Sequence, residues 1–316
     1  MVNLKGIKGG NVMSPQLREA DNQVYVEGLF AENRMEVVEV DGMQVIRGEF
    51  DVEIREGEVI TFRVYAKEKK QDGSDNSIFK GLKTVKDEYK SIASHGREEA
   101  DRVRISKGKL GLNEYYGQDG QLKQYNQFTT NFVNRVSTND TFKPKAEFEV
   151  ELFVHSVVDE IKNEEETGRA ILKGYVPLYN GSVIPLQFVV DKEGAEFVKD
   201  NYEPGATVKI YGDIINRVEI KEIEENVAFG KPKKKVTRNI VRELLVTGGT
   251  EPYDTDSPKA FDPKLIKATL TEREIYLENL KNKKKEEPKQ EEKLAFGSKP
   301  SKKSSEPAFN PDDLPF

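Results

Sequence analysis

The residues best suited to chemistry in this sequence are aromatic rings and cations, with few nucleophiles or metal ligands among them. Arg63, Tyr65, Lys67, Lys69 and Lys70 fall close together, and Phe79 and Lys80 follow within ten residues. A glycine-punctuated stretch over 111–125 carries Tyr115, Tyr116, Lys123 and Tyr125, with Arg104 before it and Arg135 after it. Aromatic faces stack on nucleobases in a sequence-tolerant way, worth ~1–3 kcal/mol per base, and neighbouring cations track the phosphates. Any one of these tyrosines equally suits a half-buried strand. The cluster, taken together, points to a polynucleotide surface.

Catalytic signatures are missing. The sequence has no phosphate-binding G-x-x-x-x-G-K-S/T loop, no H-E-x-x-H pair and no G-x-S-x-G elbow. Cysteine is absent, which removes disulfides, thiolate chemistry and sulfur-ligated zinc. The two histidines, His95 and His155, have no neighbours at metal-ligand spacing. His95 beside Gly96 reads as a turn residue after a helix, and His155 as a strand residue. Acidic runs such as Glu164-Glu165-Glu166 read as solvated loops, although a carboxylate-based nuclease stays open on spacing alone. The expectation is a non-enzymatic protein with no cofactor and no metal. No apolar run approaches the ~20 residues that cross a bilayer, and Met1 opens no charged-then-apolar leader, so a cytoplasmic protein without a membrane partner is expected.

These groups need elements to position them. Over 44–55, Ile46, Phe50, Val52 and Ile54 alternate with Arg47, Glu49, Asp51 and Glu53, the pattern of a half-buried strand. After the turn at Glu56-Gly57, Ile60, Phe62, Val64 and Ala66 face inward and Thr61, Arg63, Tyr65 and Lys67 outward. A helix is expected near 83–94, then a strand over 103–110, the glycine-rich loop, and a last strand over 125–136 that places Arg135 on the face of Tyr125. The segment 67–81 reads as a polar insertion. A second unit repeats the order: strands near 148–158, 169–178 and 183–190, a helix near 193–201, and strands near 207–215 and 236–246. Five strands with a helix between the third and fourth describe the OB-fold, a small barrel that binds oligonucleotides on one open face. The expected architecture is mainly β, with two tandem OB-fold-like five-stranded barrels, a C-terminal helix and a disordered tail. The expected boundaries are an arm over 1–20, barrels over 21–143 and 144–256, a helical segment over 257–285, and a linker with a docking tip over 286–316.

Charge divides unevenly between these units, at −1 for 1–143, −7 for 144–256 and +2 for 257–316. A near-neutral unit can carry a basic stripe, whereas the acidic second unit suits partner or subunit contacts better than DNA. Its outward Lys173, Tyr175, Lys209 and Tyr211, and the lysine-rich loop 231–235, are therefore secondary candidates. Asp262-Pro263 is a helix start, and Leu265, Ile266, Leu270, Leu277 and Leu280 form a stripe for the second barrel. The final residues Asp312, Asp313, Leu314, Pro315 and Phe316 place an aromatic ring and the terminal carboxylate on one residue, which a partner pocket can grip at both ends. The lysine-rich linker before them gives the acidic tip a second conceivable neighbour within the chain.

The tip Asp312 to Phe316, together with the long hairpin expected between the fourth and fifth strands, resembles the SSB family of bacterial and bacteriophage single-stranded-DNA-binding proteins. That resemblance implies single-stranded DNA as ligand, roles in DNA replication, recombination and repair, recruitment of replication and recombination proteins through the tip, and association of copies into a homo-oligomer. Two barrels on one chain depart from the common bacterial form and suggest a bacteriophage source. The alternative is an adaptor that uses paired β-barrels for assembly and ignores DNA.

Overall fold

A computed structural model describes residues 17–137, 140–225, 229 and 233–286. The N-terminal arm up to residue 16, and the linker and tip with Asp312, Asp313, Leu314, Pro315 and Phe316, lie outside the described residues.

The first unit begins with β1 (Asn22–Val40), β2 (Met43–Arg55) and β3 (Glu58–Lys67), three antiparallel strands joined by tight turns. The β3 alternation is the one its sequence predicts: Ile60, Phe62, Val64 and Ala66 are buried, while Arg63, Tyr65 and Lys67 are exposed. Two short helices, α1 (Ser77–Glu88) and α2 (Ile92–His95), lead to β4 (Arg102–Tyr116) and β5 (Leu122–Thr129), followed by the two-residue β6 (Asn134–Arg135). β5 lies parallel to β3 and antiparallel to β4, and β4 returns to β1, so β1, β2, β3, β5 and β4 form a closed ring. Closure demands a close backbone approach at Gly28, where a Cβ would meet the Glu53 carbonyl oxygen at 2.3 Å. Phe30, Phe50 and Phe62 are fully buried inside, Phe50 stacked on Phe62 at 5.6 Å. Each buried ring contributes ~1.5–3 kcal/mol, alongside buried Val24, Ile46, Ile60, Ile105 and Leu110.

Three local expectations need correction. α1 starts at Ser77, six residues before the expected start, because the Asn76 side chain caps it by accepting from the Ile78 amide at 3.0 Å. The polar insertion is thereby reduced to a turn closed by the Lys69–Asp75 bridge. The glycine-rich loop is a two-stranded ribbon paired from Lys109↔Thr129 to Tyr116↔Leu122, with a turn at Gly117 to Gln121. The last strand stops at Thr129, whose successor Thr130 donates its amide to the Arg63 carbonyl.

The second unit repeats the first. Strands β7 (Lys145–Lys162), β8 (Glu165–Pro177), β9 (Val183–Val190), β10 (Thr207–Glu225) and β11 (Lys233–Gly249) close in the order β7, β8, β9, β11, β10, with β9 and β11 parallel and α3 (Lys192–Asn201) between β9 and β10. Phe148 and Phe188 pack at its centre, 5.5 Å apart. β10 and β11 run on as a ribbon paired as far as Glu225↔Lys233.

The rings are joined edge to edge. β1 pairs with β7 from Asn22↔Val150 to Glu27↔Lys145, which makes one eleven-stranded sheet. Near the other side of the junction, the backbones of β10 and β3 pair at one position, Arg217↔Glu58. The final helix α4 (Pro263–Glu286) begins where Asp262 accepts from the Lys264 amide. Ile266 is buried, Leu265 and Leu270 pack against the core, and Leu277 and Leu280 are only partly covered. α4 rests on both barrels: it lies along β9, and Arg273 binds Glu114 of β4 with both terminal nitrogens, one at 2.7 Å. No helix among the described residues is long and apolar enough to cross a membrane.

Candidate nucleic-acid interface

The outward face of β3 sets the position of the site. Strand alternation puts Arg63, Tyr65 and Lys67 on the side away from the core, with Tyr65 53 % exposed. On the neighbouring β5, Tyr125 is 50 % exposed and Gln127 is half-buried. Lys107 and Lys109 add charge from β4. Beyond β5, Thr130 Oγ1 accepts from the Phe132 amide at 3.1 Å, and this turn leaves the Phe132 ring 42 % exposed with Lys107 Nζ above it at 5.1 Å. Arg63, Tyr65, Lys107, Lys109 and Phe132 line one cleft of ≈ 590 Å³. Arg63 and Gln127 also line a second of ≈ 540 Å³, which continues past Tyr125 to the barrel junction, where Asn216 and Arg242 form the opposite wall. The two clefts form one channel.

Several cations at or near this channel are unpaired. Arg63, Lys67, Lys70 and Lys107 make no ion pair among the described residues, whereas most arginines elsewhere do. Lys109 reaches Glu19 at 3.2 Å. The exposed rings are spaced between cations, and Tyr115, 46 % exposed, meets Tyr125 edge-on at 6.3 Å and extends the aromatic row along the ribbon.

Several residues expected at this surface are employed elsewhere. Phe79 is 4 % exposed, because α1 turns Phe79, Leu82 and Val85 into the barrel; its ring cannot meet a base. Arg104 neutralises the buried Glu27 at 2.7 Å. Arg135 lies on β6, which pairs with the start of β4 and so is off the face of Tyr125. There its guanidinium stacks on Tyr89 at 4.2 Å and binds Asp101 at 3.0 Å. Lys69 shares Asp75 with Lys80, and the two ammonium groups hold that carboxyl down to about 2. Lys123 sits at the ribbon turn beside Asp119, and Tyr116 lies under Lys281 of α4. Arg63, Tyr65 and Tyr125 line the channel, Tyr115 adjoins it through Tyr125, Lys67 shares the outward face of β3, and Lys70 lies in the turn beyond that strand. Phe132, Lys107, Lys109 and Arg242 join them without having been singled out; a ring in a Thr-Thr-Asn turn was the one local signal for Phe132.

The corresponding groups of the second barrel form no such row. Lys209 is paired to Glu149 and Asp21, Tyr175 packs on His155 at 5.3 Å, and Tyr211 lies in a separate cleft with Glu147, Glu149 and Asp213. Burial raises the Asp213 carboxyl, with Glu147 and Glu58 adding to the effect. Lys173 is exposed on β8. Of the lysine-rich loop, Lys231 lies outside the described residues, and β11 starts at Lys233. Among the described residues no three His, Asp or Glu side chains are grouped to hold a metal.

Among solved structures, the chain is similar to the wild-type single-stranded DNA binding protein from Thermus aquaticus, with a TM-score of 0.46 and 10 % identity over 76 % of this chain and 97 % of that one. A deletion mutant of the same Thermus protein gives 0.43 and 11 %, over 76 % of this chain and 98 % of the other. No curated protein matches the sequence. A model of the YorF family matches residues 20–283, both barrels and most of α4, and the chain therefore belongs to the YorF family.

Proposed function

We propose that the protein binds single-stranded DNA along the channel of the first barrel. The observation that carries this reading is the set of exposed rings Phe132, Tyr65 and Tyr125 along two clefts that share Arg63, with Arg63 and Lys107 as unpaired cations among the described residues. Bases stack on the rings, and phosphates follow the cations. A duplex hides its base faces, so it can use only the charges. We read the protein as non-enzymatic, coating and protecting strands during replication, recombination or repair, with the tip at Asp312 to Phe316 as a docking peptide for partner proteins.

Titration of a fluorescent oligo-dT strand and its duplex with the full chain tests this. The single strand is expected to bind far more tightly than the duplex, with log affinity falling against log salt by about 0.7 for each phosphate contacted. Equal affinity for both forms, or no binding to either, contradicts the reading.

A further inference from the structure

The geometry points to Arg242, on the second barrel, as a phosphodiester contact for the same strand, so that the nucleic acid passes from the first barrel into the cleft between the two. This deepens the single-strand reading and rests on it. Arg242 of β11 and Arg63 of β3 line one ≈ 540 Å³ cleft although they belong to different barrels. Neither makes an ion pair among the described residues. Of the two carboxylates lining that cleft, Glu243 binds Arg169 at 2.9 Å and Lys162 at 3.1 Å, while Glu49, opposite Arg63 on β2, lies 3.9 Å from an Arg34 that Asp51 holds at 2.8 Å. Two guanidinium groups that face one cleft without an ion pair among the described residues suit an anion.

The orientation of Arg242 adds to this. Its Nε donates to Asn216 Oδ1 at 3.3 Å, and Asn216 Nδ2 donates across the junction to the Val59 carbonyl of β3 at 2.6 Å. Asn216 thereby ties the arginine to the first barrel and uses only its inner nitrogen. The terminal nitrogens make no hydrogen bond among the described residues, which leaves the fork that matches a phosphate oxygen pair. The cleft is continuous with the channel at Arg63 and carries the Tyr125 ring, so the anion that fits it is a phosphate within a strand whose bases stack nearby.

The test uses the full chain with Arg242→Gln and Arg242→Glu, titrated with oligo-dT over a salt series, alongside Lys199→Gln on α3 of the second barrel and thermal melting of each protein. Arg242→Gln is expected to weaken binding about tenfold and to lower the salt slope by about 0.7, one phosphate fewer. Arg242→Glu is expected to weaken it further, and Lys199→Gln to match the wild type. Should one Arg242 variant melt early, the other decides. Wild-type affinity and slope in a folded Arg242 variant overturn the inference while leaving the single-strand reading intact. A wild-type protein that binds no single strand overturns that reading itself.

Discussion

Replacing Tyr65, Tyr125 and Phe132 together by alanine is expected to lower affinity for a polypyrimidine strand by about 100-fold or more, with little change in folding stability. Each ring is about half exposed, so its removal leaves no cavity. Each stacked base contributes ~1–3 kcal/mol, and three rings at the lower figure already give ~3 kcal/mol, about two powers of ten. The salt slope should be nearly unchanged, because the cations remain; this separates stacking from charge. Tyr179 is the control. It is 86 % exposed at the turn between β8 and β9, away from the channel, and Tyr179→Ala should bind like the wild type. Undiminished affinity in a folded triple variant would remove the aromatic row from the account, and Tyr65→Phe, which keeps the ring, should restore most of the affinity at that position.

The second large effect concerns the frame that holds the far wall of the channel. Arg169 of β8 is mostly buried and binds Glu160 of β7 and Glu243 of β11 through both ends of its guanidinium. Arg169→Met removes the shared cation and leaves the buried Glu160 and the partly buried Glu243 with Lys162 alone, so the loss is expected towards the lower end of the ~3–5 kcal/mol typical of a broken buried pair. Chemical denaturation should show a loss of that order at neutral pH. The same network predicts an acid dependence. The Arg169 guanidinium, helped by Thr167 and Lys162, holds the Glu160 carboxyl down to about 2, against 4.5 for a free glutamate. A lowered carboxyl stabilises the fold fully above the free value, and that contribution is lost as pH falls towards the folded one. The stability difference between wild type and Glu160→Gln should therefore be constant at neutral pH and shrink as pH drops from about 4.5 to about 2. A difference that does not vary over that window would show that the carboxyl is not held in this way.

The legible parts of the fold were those where one face is buried and the other wet. β3 is the clearest case, since period-two alternation from Ile60 to Lys67 fixes both the core side and the channel side. The five-strand order with an intervening helix was likewise readable in both units, because each strand carries its own apolar face. The β4–β5 ribbon was legible only through its resemblance to a long hairpin: beyond the barrel α4 covers part of it, with Arg273 on Glu114, so its sequence lacks the alternation of a strand over the core. Phe79 was misplaced for a different reason. Its spacing with Leu82 and Val85 reads as a buried helical face only once Asn76 is recognised as the cap. Arg135 depended on a strand that Thr130 interrupts. Arg242 and Asn216 could not be found from sequence, since their meeting with Arg63 and Val59 is made by the docking of one barrel on the other.

Photocrosslinking tests the central claim most directly. An oligonucleotide carrying a photoactivatable pyrimidine at successive positions, irradiated with the full chain and mapped by peptide mass, reports which rings lie against bases. Adducts at Tyr65, Tyr125 and Phe132, suppressed by unlabelled single strand but not by duplex, are the predicted result. Adducts confined to the second barrel's Tyr175 or Tyr211, or equal competition by duplex, would contradict it.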